Sequence, residues 1–240
     1  MGRSKKKLVV PVVGKPMRSR REARRVTTAF HRLSAAAQSD PELGGEVERL
    51  RARYQEASAL STSMYSTSRW VLRMVRKLDA GRRLLEVGAV NTQLVESKLV
   101  ETRAIDLRAS HPKIERLDFF DVRGKFEIVV CSLVLNCVVP EKRGAMLRKL
   151  REHALGGLVF LVIPRSCVEK SRRMTPSKFE TILDDVGFLQ LRRHLTPKLI
   201  HLCLTPKSHP FPAAAEMEPP VERLRVHKPA NDFDIPLVLE

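Results

Sequence analysis

The sequence predicts an α/β protein: an open, doubly wound sheet of seven strands ending in a β-hairpin, with helices added before it. Three observations carry this. Short apolar runs alternate with helical patterns from about residue 83 onward. The first run, Leu84-Leu85-Glu86-Val87-Gly88, ends on an acid, a spacer and a glycine. A second run ends on Asp106, about 20 residues further on, the spacing at which such a sheet presents a carboxylate to a ribose.

The elements follow in order. Residues 1–25 mix basic clusters with Pro11, Gly14 and Pro16, the composition of a disordered tail. Residues 26–80 read as helical, broken at Ser39-Asp40-Pro41, where Asp40 can cap and Pro41 can open a new helix. Beyond Ser68, the spacing of Trp70, Val71, Met74, Val75 and Leu78 gives one apolar helical face. Trp70, the only tryptophan, reads as core on that face or as a base-stacking platform. The region 81–205 is the expected core. Its first strand covers about 83–88, followed by a short helix containing Leu94, Val95 and Leu99 and a second strand ending at Asp106.

Ile114 opens a third strand. The turn Asp118-Phe119-Phe120-Asp121 that follows can hold an adenine ring and its amino group, or its phenylalanines can plug the core. The run 126–135 is the most apolar and belongs at the centre of the sheet. A helix from Glu141 carries Met146, Leu147, Leu150 and Ala154 on one face and ends at Gly156-Gly157. A buried strand at 158–163, a helix at 177–186 and two strands at 188–195 and 199–204, joined by Thr196-Pro197-Lys198, complete the pattern. Residues 206–240 are rich in proline and charge and read as an extended tail, with Ile235, Leu237, Val238 and Leu239 able to dock on the body or a partner.

Composition narrows the function. The formal charge is +17, of which about +10 lies in residues 1–32, so a polyanion is the expected partner. The basic stretch reads as a nuclear or nucleolar address combined with a phosphate-gripping arm, or as a solubilising arm. The four cysteines, Cys131, Cys137, Cys167 and Cys203, are too scattered for a zinc pattern and sit in or beside apolar runs, as buried thiols of a reducing compartment do. No metal, no membrane span and no signal peptide is expected.

The chemistry lies in the loops. Gly88 lets the backbone approach a ligand, and Glu86 can meet a cationic or hydroxyl-bearing one. A pyrophosphate favours several glycines and would be repelled by Glu86, so a donor whose reactive end carries no phosphate suits this loop better. That points to a methyl donor rather than a dinucleotide. Ser132 and Asn136, at the carboxyl end of the central strand, stand where an open sheet holds its substrate; Asn136 can bond an adenine edge or simply cap the next turn.

The chain resembles the fungal 25S ribosomal-RNA adenine-N1 methyltransferase family over roughly 50–205. The resemblance rests on the Leu84–Gly88 run, on Ala104-Ile105-Asp106-Leu107, on Leu117-Asp118-Phe119-Phe120 and above all on Ser132-Leu133-Val134-Leu135-Asn136 followed by Pro140 and Lys142-Arg143-Gly144-Ala145-Met146-Leu147. Cys137 departs from the family pattern, which usually has an aromatic there.

The resemblance implies a Rossmann-like class I methyltransferase fold. It implies S-adenosylmethionine held by Glu86, Gly88, Asp106, Leu107, Asp118, Phe119 and Ser132, and large-subunit rRNA as acceptor during ribosome biogenesis. Ser132 and Asn136 are the candidate catalytic residues. The RNA would be gripped by the basic arm and the active-site face. Animal proteins with a similar core bind the same donor as nutrient sensors, which supplies the alternative of a non-catalytic regulator.

Overall fold

The computed structural model describes residues 20–37, 40–64, 67–109, 111–154, 156–212 and 223–237. The basic residues 1–19, and Val238 and Leu239, lie outside the described residues. The chain divides into two units, 1–66 and 67–240.

In the first unit, α1 (Arg20–Ala37) and α2 (Gly44–Met64) flank a single 3-10 turn at Pro41–Leu43. The two helices bury Ala23, Val26, Phe30 and Leu33 against Val47, Leu50 and Ala57. Tyr54 stacks on Phe30 at 4.1 Å, and Arg53 pairs with Glu22 at 3.0 Å. Helix α1 therefore starts inside the stretch expected to be tail. The reason is Ala23, which begins the apolar stripe one turn before Val26.

The second unit holds the sheet, in the order β3-β2-β1-β4-β5-β7-β6. Its strands are β1 (Arg83–Val87), β2 (Glu101–Asp106), β3 (Glu115–Arg116), β4 (Ile128–Ser132), β5 (Leu158–Pro164), β6 (Phe188–Leu195) and β7 (Leu199–Pro206). β1 to β5 are parallel, and β7 inserts antiparallel between β5 and β6 as the expected terminal hairpin.

Alternation along the strands feeds two cores, one on each face. Leu84, Ile128, Val130, Leu158, Phe160 and Cys203 pack with Trp70, Val71, Met74 and Val75 of α3 (Thr67–Leu78). Leu85, Val87, Val129, Cys131, Val159 and Leu161 pack on the other face with α4 (Pro140–His153) and α6 (Pro176–Asp185). Trp70 is core: its ring meets Phe160 edge-on at 5.3 Å.

The helix expected after β1 does not form, and residues 88–100 are a chain of turns. Asn91 Oδ1 caps the Gln93 N–H and Glu96 N–H bonds Thr92 O, but this single turn goes no further, and Ser97 Oγ takes the Leu99 N–H that a continuing helix would use. β5 ends at Pro164, and a short α5 (Arg165–Glu169), not expected from sequence, follows it; the Arg165–Glu169 ion pair, 2.7 Å, closes its one turn.

The C-terminal stretch is only partly tail-like. Phe233 and Ile235 are buried in the α4/α6 core, with Leu237 packed against it.

Candidate active site

The site lies at the carboxyl ends of the parallel strands. β1 sits between β2 and β4, where the winding of the sheet reverses, the switch point at which open α/β sheets hold their ligands. Val87 is level with Ile105 on one side and Cys131 on the other. The next residues, Gly88, Asp106 and Ser132, therefore form one row across three strand ends, spanning about 10 Å at ordinary strand spacing.

Gly88 needs to be glycine on two counts. Its φ is +75°, and a Cβ would lie 2.1 Å from Val134 Cγ2. Its N–H and that of Ala89 both donate to the Ile105 carbonyl, at 2.9 and 3.0 Å, which pins the loop against β2. The loop after β1 is thus pressed between β2 and the loop after β4.

Glu86 points to the α3 face, 7% exposed, and its Oε2 has no hydrogen-bond partner among the described residues. Burial pushes its carboxyl up to about 8. A buried acid left this way suits a ligand that brings a donor or a positive charge. Asp106 ends β2, half-buried, with Oδ1 accepting the Arg108 N–H at 2.7 Å. Leu107 beside it is 61% exposed, and Val90 and Val139 on neighbouring loops are exposed as well. Three of the five exposed large apolar side chains among the described residues thus rim this end of the sheet.

Asp118 caps a single 3-10 turn, its Oδ1 accepting the Phe120 N–H at 2.9 Å. The Phe119 side chain does not face the site. It is a core plug, 5% exposed and edge-on to His153 at 5.6 Å, so the stacking role expected of it does not fall to its ring. Lys149 holds the Phe120 carbonyl at 2.6 Å, which fixes the turn.

The loop after β4 carries the acceptor-side candidates. Leu133 has φ +61°, a left-handed conformation costly for a branched side chain, and its N–H donates to Val162 O at 2.8 Å. This kink follows Ser132, whose Oγ is buried with no partner among the described residues; Asn136 Oδ1 is the same. Asn136 caps nothing: Val139 is the N-cap of α4, and Asn136 Nδ2 donates to Cys137 Sγ at 3.3 Å. Cys137 itself is exposed, unlike the buried Cys131 and Cys203. Among the described residues, no group of His, Cys, Asp and Glu is placed to hold a metal ion.

His201 was not singled out from sequence. In the sheet register Ser132 pairs with Val162, and Val162 with His201, so the imidazole stands two strands from Ser132 on the same face. It is 2% exposed, its Nε2 lies 3.4 Å from Thr67 Oγ1, and Trp70 packs on the ring at 5.3 Å. Burial, with His194 nearby, depresses it to about 4, and its Nδ1 has no partner among the described residues. The one signal in sequence was a lone histidine in an apolar strand.

One family model matches residues 42–235, from α2 to the docked C-terminal stretch, and it is described as 25S rRNA (adenine(2142)-N(1))-methyltransferase, Bmt2. The chain belongs to the Bmt2 family. A curated relative from Schizosaccharomyces pombe, named 25S rRNA adenine-N(1) methyltransferase, is 29% identical over 181 residues, 68% of this chain and 63% of the relative. One from Saccharomyces cerevisiae, 25S rRNA (adenine(2142)-N(1))-methyltransferase, is 30% identical over 131 residues, 50% of this chain and 38% of the relative. The chain therefore spans less than two thirds of either Bmt2-type relative. Among solved structures, magnesium protoporphyrin IX methyltransferase from Synechocystis PCC 6803 with bound SAM aligns with a TM-score of 0.47 and 16% identity, covering 62% of this chain and 82% of that one.

Proposed function

We propose that the protein is an S-adenosylmethionine-dependent methyltransferase acting on N1 of an adenine in large-subunit (25S) rRNA during ribosome biogenesis. The observation that carries this is the row Asp106–Gly88–Ser132, with Glu86 Oε2 and Asn136 Oδ1 around it as buried oxygens without a hydrogen-bond partner among the described residues. Membership of the Bmt2 family supports the choice of acceptor.

When bound, the donor supplies a methyl group on a cationic sulfur, ready for in-line displacement. The chain's residues divide the remaining work. Glu86 fits a cationic end and Asp106 the ribose hydroxyls. Asp118 fits the amino edge of an adenine, with exposed Leu107 as an apolar wall beside it. Ser132 and Asn136 would orient the acceptor base. Adenine N1 attacks with its own lone pair, so positioning and exclusion of water suffice and no strong base is needed.

The acceptor adenine must be unpaired or flipped, and that cost is met by contacts elsewhere. The basic stretch 1–32 supports phosphate gripping and nucleolar residence. If about six of its cations meet phosphates, affinity falls with salt at a slope of roughly −4 to −5. The test is transfer of labelled methyl from S-adenosylmethionine to unmodified large-subunit rRNA. Label in N1-methyladenosine supports the proposal; donor binding without label in rRNA refutes it in favour of a regulator.

A further inference from the structure

The C-terminal stretch does more than cover the core. Residues 231–237 run along α5 and the start of α4, fastened at several points. Asn231 forms a parallel bridge with Ser171, Ser171 Oγ donates to Phe233 O at 2.6 Å, Arg172 pairs bidentately with Asp232 at 2.7 and 3.0 Å, and Lys178 pairs with Asp234 at 2.8 Å. Sequence-distant partners recur along the whole stretch, as in a built seat rather than a resting coil.

Arg143 joins this stretch to the loop that carries Asn136. The side chain, in the first turn of α4 and 8% exposed, donates from Nε to Val138 O at 2.9 Å and from Nη1 to Asp234 O at 2.5 Å. Its guanidinium also lies over the Phe233 ring at 4.4 Å. Its partners are two carbonyls and a ring face rather than a carboxylate. A buried cation held this way is poor value for stability alone, and the planar fork suits bridging two backbones at a fixed distance. Next to it Gly144 leaves room for the stretch to pass: a Cβ there would lie 2.6 Å from Pro236 O.

We propose that residues 231–237 brace the 133–139 loop through Arg143, making Arg143 a positioning residue that sets how Asn136 meets the acceptor base. Only the last clause rests on the proposed function. The brace holds the loop from behind, at Val138, while Gly88 presses it from the front at Val134.

The test uses two full-length variants. Gly144→Ala is a favourable change for a helix interior, so without a brace it is neutral or stabilising. With one, it displaces the stretch. Arg143→Lys keeps the charge but cannot span both carbonyls. Hydrogen exchange is read at the Cys137 and Val138 amides, both of which donate to Val134 O. In each variant exchange at these two amides rises about tenfold or more. Turnover on rRNA drops about tenfold to a hundredfold, while S-adenosylmethionine affinity and KM stay within about twofold, as misplacement of one reactant predicts. Unchanged exchange at Cys137 and Val138 in both variants overturns the brace, as does loss of donor affinity in step with turnover. If the wild type labels no rRNA, the proposed function fails by itself, and exchange at the two amides still decides the brace.

Discussion

Gly88 and Val134 are packed so closely that the loops after β1 and β4 are coupled: a single methyl on Gly88 would stand 2.1 Å from Val134 Cγ2. Gly88→Ala thus strains the backbone at φ +75° and forces the loops apart. Donor affinity is expected to fall more than tenfold, with a stability loss of about 1–3 kcal/mol. Isothermal calorimetry and urea unfolding measure the two effects. The double variant Gly88→Ala/Val134→Ala regains the space but keeps the φ penalty, so it recovers only part of the loss.

Asp106→Ala separates binding from folding. The side chain is half-buried and its one bond among the described residues is to the Arg108 N–H. The expected outcome is donor binding weaker by about tenfold to a hundredfold, the worth of a charged hydrogen-bond acceptor, with thermal unfolding shifted little. Binding unchanged in Asp106→Ala would remove Asp106 from the site.

Glu86 gives the ligand-free protein a pH signature. Its folded carboxyl titrates near 8 against 4.5 when exposed, so the folded state holds its proton more tightly. Stability therefore falls as pH rises from about 4.5 to about 8 and levels off above, a loss of about 3 kcal/mol by pH 7. Glu86→Gln removes this slope in urea titrations across pH 5 to 8. A cationic donor favours the ionised form, so its binding at pH 7 releases about one proton, read from calorimetry in buffers of different ionisation enthalpy.

His201 acts in the opposite direction. Burial beside Trp70 depresses its imidazole to about 4 from 6.5, so its contribution is complete above pH 6.5 and is lost as pH falls toward 4. The wild type loses about 3 kcal/mol more than His201→Gln over that window. Parallel unfolding curves at pH 7, 5.5 and 4 make the comparison.

The sheet was legible because its evidence is local: β1, β4, β5 and β7 are apolar runs, and Gly88, Asp106 and Ser132 stand at strand ends. What register decides was not. His201 looks like one polar residue in an apolar strand until β5 and β7 pair and set it level with Ser132. Phe119 beside Asp118 reads as a stacking group or a plug, and the plug wins because His153, 34 positions away, closes over it. Residues 94–99 have a helical apolar pattern, yet only one turn forms after the Asn91 cap, and Ser97 takes the Leu99 amide. In the C-terminal stretch, Phe233 and Ile235 alternate with Asp232 and Asp234, a docking pattern masked by the surrounding proline and charge.

The central claim is tested most directly by incubating the full chain with labelled S-adenosylmethionine and unmodified large-subunit rRNA, then identifying the labelled base by mass spectrometry. Gly88→Arg and Asp106→Ala serve as controls that remove the donor site. The account predicts label in N1-methyladenosine with the wild type and in neither control. Label in another base, or none despite measured donor binding, would contradict it.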